Sequence, residues 1–314
     1  MSRKIFNSHG KLLLFGEYAV IDGAKSLAIP CKKGQSLEIK PHRGSDLIWE
    51  CYDQHGDLWF EAQISLYDFS SVRTSDEGTS KFIQKLLKGA VRYNTEFLNK
   101  WNGFKAINRI DFPITWGLGS SSTLINNVAN WAQINPFHLH FKISSGSGYD
   151  IACAEAEGPI TYQLQEDTLN YQEIDFNPDF LSNIYFVYLG NKQSSESAIY
   201  HYSKNVKRRK ALAKQVSTLT EKALTDKTLA DFMSTMDAHE ALLSKELNMT
   251  CVKEKNFSDF EGSVKSLGAW GGDFVMVASP QKKEELKSYF TAKGHDVFIP
   301  YHEMLQNSEL AVPV

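Results

Sequence analysis

From residue 12 to residue 64 the chain reads as short stretches in which apolar and polar positions alternate, the pattern of half-buried strands. Strands are predicted at 12–15, 26–29 and 36–40, separated at Gly16, Gly23 and Gly34. Residues 47–51 and 58–60 flank the polar turn 53–57 and predict a hairpin. The period then lengthens. Phe82, Ile83, Leu86, Leu87 and Ala90 fall on one face of a helix predicted over 79–93. A strand over 106–112 and a helix over 122–132 follow, and Asn135 and Pro136 break the pattern. Strands are predicted at 160–164 and 184–189, and residues 194–248 are helical and highly charged. The remainder predicts a strand at 264–268, a glycine turn, a strand at 274–278, a helix at 281–291 and a strand at 296–300. A strand-rich first half and a helix-rich second half predict an α+β protein of two lobes, divided into 1–165 and 166–314.

Composition narrows the function classes. With 42% hydrophobic and 23% charged residues and a net charge of −3, the 314-residue chain is ordinary for a globular protein. That charge predicts neither a nucleic-acid nor a membrane partner. The basic run 207–210 lacks interleaved aromatics and reads as a solvated helix face. The first residues have no apolar signal core, and no apolar stretch approaches the ~20 residues of a membrane span. Cys31, Cys51, Cys153 and Cys251 are scattered without a C-x-x-C pair, which predicts free thiols, no zinc site and a cytoplasmic location.

Four segments carry candidate chemistry. Gly117, Leu118, Gly119, Ser120, Ser121, Ser122 and Thr123 form a glycine-serine turn directly ahead of an apolar helix. Glycines let the backbone approach a ligand, and a helix N-terminus offers unpaired N–H groups that favour anions. The same residues serve equally as a plain helix cap, so both readings stand on this segment alone. Lys11 starts an apolar strand, with Glu17 and Tyr18 just past its end; a surface lysine and a turn glutamate explain them as well. Asp150 follows Ser147 and Gly148 at a small-residue helix start, as a proton acceptor or as a capping carboxylate. The stretch 267–274 is a glycine turn opening into a strand.

Taken in order, these segments resemble the three motifs of the small-molecule kinases of galactose, homoserine, mevalonate and phosphomevalonate, the GHMP kinases. Residues 10–20 resemble the first motif, 113–121 the phosphate loop and 268–272 the third motif. The resemblance implies a two-lobed fold, with an N-terminal ribosomal-protein-like α/β lobe and a C-terminal ferredoxin-like α/β lobe. It implies ATP and Mg²⁺ as cofactors and a small-molecule phosphoryl acceptor, and it admits a homodimer. In its terms the ATP phosphates lie over residues 117–123, and the Ser121 hydroxyl meets Mg²⁺. Lys11 and Asp150 are catalytic, and Glu17, Tyr18, Ser147, Gly148 and Gly271 contact substrate. Tyr18, the Ser147–Asp150 wording and Asp273 resemble phosphomevalonate kinases most, with mevalonate kinases second. A diphosphomevalonate decarboxylase and a non-catalytic metabolite-binding relative are the rival readings. Thr115, Trp116 and Trp270 depart from the motifs, the last by putting an indole where glycine is usual.

Overall fold

The computed structural model describes residues 3–99, 102–165, 168–190, 195–268, 270 and 272–306, and the expected substrate residue Gly271 lies outside them. The chain divides into two compact units, each drawn from separate stretches. Unit 1 comprises residues 1–10, 33–114 and 118–155; unit 2 comprises 11–32, 115–117 and 156–314.

Unit 1 begins with β1 (Lys4–Phe15), of which only residues up to Gly10 belong to it, and contains the second half of β2 (Ser26–Pro41). β3 (Asp46–Tyr52), β4 (Leu58–Ser65), β5 (Ser71–Thr74) and, after α1 (Glu77–Tyr93), β6 (Phe104–Ile110) complete its sheet. The order is β5-β4-β3-β6-β2, with β1 paired to β2. β3 and β6 run parallel, and α1 lies in the crossover between them. The predicted hairpin is β3–β4, in which Leu47, Trp49 and Cys51 alternate inward. Three helices follow: α2 (Ser120–Ala132), α3 (Pro136–Ile143) and α4 (Tyr149–Glu155). Ile83, Leu86, Leu87 and Ala90 of α1 are buried as their spacing predicts, and α2 packs on α1, α3 and α4.

One expectation is corrected here, and one helix had not been expected. Gly34 does not end a strand. β2 runs through it because β1 passes so close that a Cβ on Gly34 would overlap the Ser8 carbonyl oxygen. The break at Asn135 and Pro136 is found, since α2 ends at Ala132, but a helix that had not been expected follows: Pro136 opens α3. Asn135 caps that helix by accepting from Phe137 N at 2.8 Å, and proline is tolerated in a first turn because its missing N–H has no partner there.

Unit 2 holds the other parts of β1 and β2, with β7 (Ile160–Gln165) antiparallel to residues 26–28 and β8 (Thr168–Glu173) antiparallel to β7. Its second sheet is built from β9 (Ile184–Tyr188), β10 (Ser263–Ser266), β11 (Phe274–Ala278) and β12 (Phe298–Pro300). Between β9 and β10 lie α5 (Ser195–Asn205), α6 (Arg209–Thr225), α7 (Leu229–Leu247) and α8 (Val252–Asn256). α9 (Lys283–Ala292) joins β11 to β12, and α10 (Tyr301–Met304) follows. The sheet order β10-β11-β9-β12, antiparallel throughout, is the split βαβ arrangement of a ferredoxin-like lobe. The basic run falls at the α5–α6 junction and is exposed. No helix among the described residues is long and apolar enough to cross a membrane.

Because the Asn135 cap starts the helix that leads toward Asp150, Asn135→Ala should lower stability by about 1 kcal/mol in urea unfolding. An unchanged midpoint would show that the cap contributes nothing.

Candidate active site

In unit 1 none of the serines in the turn before α2 caps that helix. Gly119 is the N-cap residue in the left-handed region, at φ 91°, and no side chain caps the helix. Ser122 and Thr123 are buried with their hydroxyls turned inward: Ser122 donates to the Gly119 carbonyl at 2.8 Å, and Thr123 donates to Gln35 Oε1. Ser120 is half-buried and Ser121 exposed. Leu118 is fully buried and anchors the turn. A polar network fixes the helix above this turn. Gln35 donates to Asn108 at 2.6 Å, Asn127 donates to the Gln35 carbonyl at 3.0 Å, and Ser8 donates to Asn127 at 2.8 Å.

Asp150 lies in the first turn of α4, half-buried, with Oδ1 accepting from Ile151 N at 3.1 Å. Gly148 takes φ 89°, so the chain turns sharply into that helix, and Ser147 is buried beside it. His140 of α3 lies 3.3 Å from the Gly146 carbonyl through Nε2 and holds the same loop. Within unit 1, α2 and α4 pack on one another.

Unit 2 holds the rest. Lys11 Nζ donates to the Gly117 carbonyl at 2.8 Å. Gly117 has φ 66°, and a Cβ there would overlap the Asp273 carboxylate, so glycine is required twice over. Thr115 and Trp116, the unusual residues of the loop, are accommodated by aromatic packing. The Trp116 ring lies edge-on to Phe274 at 5.5 Å, and Tyr188 donates to the Thr115 carbonyl at 3.0 Å. The Trp270 indole is buried, within a cluster that includes Tyr202, Val216 and Leu243, so it fills the core of unit 2. Its main-chain N–H donates to Tyr18 Oη at 3.0 Å. Tyr18 takes φ 61°, an uncommon conformation for a bulky side chain, and stacks on Tyr202 at 5.6 Å. Tyr202 in turn donates to Asp22 at 2.7 Å.

Glu17, expected at the substrate, is 1% exposed and engages Lys265 in a salt bridge in which both side chains are buried. His239 accepts from Gly16 N at 3.3 Å, and Glu240 accepts from Ser266 through both carboxylate oxygens. Burial pushes the Glu17 carboxyl up to about 7 against the pull of Lys265, and burial with Lys265 nearby holds His239 well below its ordinary value. Lys265, His239, Glu240 and Asp273 were not among the site residues expected from sequence. Asp273 was legible only in the wording of the third motif, and Lys265 only as a lysine in a short strand before the glycine turn.

The sign of the pH dependence follows from Glu17. Below about 4.5 it is protonated in folded and unfolded chains alike; from there to about 7 the folded chain keeps a proton that the unfolded chain releases. Its burial therefore costs more stability as pH rises through that window. Lys265→Met removes the compensating charge and should cost about 3–5 kcal/mol near pH 8. The deficit should shrink at pH 5.5 in denaturant titrations, and a pH-independent deficit would show that Glu17 is not the group left uncompensated.

No family model matches the chain. A curated mevalonate kinase of Methanocaldococcus jannaschii is 23% identical over 301 residues, covering 90% of this chain and 93% of its own. Among solved structures, a Methanococcus jannaschii mevalonate kinase superposes with a TM-score of 0.70 at 20% identity, covering 95% and 97% of the two chains. A Streptococcus pneumoniae phosphomevalonate kinase in complex with phosphomevalonate and AMPPNP gives 0.70 at 15% identity, covering 94% and 98%. The chain is thus similar along nearly its whole length to a mevalonate kinase, and its fold is the one that these mevalonate and phosphomevalonate kinases share.

Proposed function

We propose that the protein transfers the γ-phosphoryl group of ATP to an isoprenoid-pathway acid, with phosphomevalonate as the acceptor. The observation that carries the kinase reading is the start of α2, where Gly119 rather than a side chain occupies the cap. The first-turn N–H groups and the helix dipole then suit the phosphates of a nucleotide. Ser121, exposed on that turn, offers a hard hydroxyl oxygen of the kind Mg²⁺ accepts. Bound Mg²⁺ would supply charge neutralisation on the phosphates.

Lys11, held over the loop by the Gly117 carbonyl, stabilises negative charge on the transferring group. Asp150 orients the acceptor and takes its proton when that acceptor is an alcohol. A phosphate monoester, with a second pKa near 6, is already mostly ionised at neutral pH, so positioning dominates for it. Ser147 and Gly148 shape the acceptor side of that loop, and Tyr18 the turn after β1. The wording around Tyr18, Asp150 and Asp273 favours phosphomevalonate. Kinship to a mevalonate kinase favours mevalonate as the second reading.

A coupled ADP-release assay with phosphomevalonate, mevalonate, galactose and homoserine should give turnover on one of the first two. Activity confined to a sugar or amino acid would overturn the assignment. Lys11→Met and Asp150→Asn should each lower kcat by about 100-fold or more in folded protein.

A further inference from the structure

The loop that leads to Asp150 in unit 1, residues 144–148, consists of three serines and two glycines, a composition that leaves the backbone free. Helices α1 and α3 restrain it. Ser144 N donates to the His140 carbonyl at 2.8 Å, and Lys85 of α1 donates to the Ile143 carbonyl at 2.7 Å, so the loop begins from a fixed point. His140 of α3 reaches its middle, with Nε2 3.3 Å from the Gly146 carbonyl. A carbonyl only accepts, so this bond requires the imidazole proton on Nε2. The ring lies close enough that a Cβ on Gly146 would come within 3.3 Å of Nε2 and 3.4 Å of Cε1. His140 is 2% exposed, and its Nδ1 is buried without a hydrogen-bond partner among the described residues. A buried nitrogen left without a partner is destabilising, and an apolar ring at this position would avoid that cost. What an apolar ring cannot do is hold the Gly146 carbonyl.

We infer that His140 is a positioning residue for the reaction: by holding the Gly146 carbonyl it sets the path of the loop and, through the turn at Gly148, the place of the Asp150 carboxylate. The inference rests on the proposed function, in which Asp150 orients the acceptor, and adds to it the residue that fixes Asp150. His140 is buried and acts through the loop, without touching substrate. The bond that Asp150 Oδ1 accepts comes from Ile151, its own neighbour in α4, so the carboxylate goes where the loop backbone takes it. α3 packs on α1, α2 and α4, which gives the imidazole a rigid base from which to hold the loop. Misplacing a reacting group by about 1 Å can cost about 100-fold in rate. Loss of the His140 bond therefore acts on kcat, while ATP, assigned to the start of α2, is bound as before.

The test couples His140 to Asp150. In the ADP-release assay, kcat and KM are measured for the wild type, His140→Phe and His140→Gln, and for His140→Phe combined with Asp150→Asn, with thermal melting to check folding. His140→Leu serves if His140→Phe is not folded. Phenylalanine keeps a ring and loses the N–H, whereas a glutamine amide can donate to the Gly146 carbonyl from the place of Nε2. The expected result is a kcat lowered by about tenfold or more in His140→Phe, with KM for ATP within about twofold of the wild type and kcat recovered to within about threefold in His140→Gln. Added to Asp150→Asn, His140→Phe should have no further effect on kcat, because the group it positions is already gone. The bond itself is read in the wild type by ¹⁵N-histidine NMR, which should show a His140 Nε2–H protected from exchange. Absence of that protected proton, equal kcat in His140→Phe and His140→Gln, or the same fold loss with and without Asp150 would overturn the inference and leave the kinase reading intact. Unchanged kcat in Asp150→Asn alone, or no wild-type turnover on phosphomevalonate or mevalonate, would overturn the proposed function and the inference with it.

Discussion

Burying Lys265 against Glu17 is the constraint on which the order of unit 2 depends. Two fully desolvated charges are costly apart and tolerable only together, so each dictates where the other's backbone lies. Glu17 belongs to the turn after β1 and Lys265 to β10, more than two hundred residues further on. His239 and Glu240 of α7 add a third element through Gly16 and Ser266. The turn so fixed carries Tyr18, whose left-handed backbone would not persist without the stack on Tyr202 and the bond from Trp270.

Unit 1 solves a different problem, that of presenting backbone rather than side chains. Leu118 is buried, Gly119 is left-handed and the hydroxyls of Ser122 and Thr123 face inward, so the start of α2 presents its peptide groups together with Ser120 and Ser121. The polar network of Ser8, Gln35, Asn108 and Asn127 holds that helix against the sheet by directional bonds, where apolar packing would allow it to slide. The Asp150 helix packs on α2 and inherits its placement.

Much of this was legible in the residues. Alternation at 47–51 marked β3, the 3.6-residue spacing of Phe82 to Ala90 marked α1, and the spacing of glycines and serines pointed to the turn before α2. Long-range effects defeated the rest. Gly34 looked like a strand end because a glycine's local signal is a break, and the close passage of β1 that demands it comes from far along the chain. The helix α3 was missed because proline can end a helix or begin one, and only the Asn135 cap distinguishes the cases. The pairing of Glu17 with Lys265 was not legible because the two residues lie far apart in sequence.

The sequence by itself determined the order of strands and helices, the motif spacing and the uncharged, glycine-bearing loop, because these are set by periodicity, conformational freedom and local charge. Tertiary structure alone decided which charged groups are buried, which hydroxyls turn inward and which carboxylate lies against Gly117. Those outcomes depend on the dielectric and the neighbours that each side chain meets only after distant segments pack.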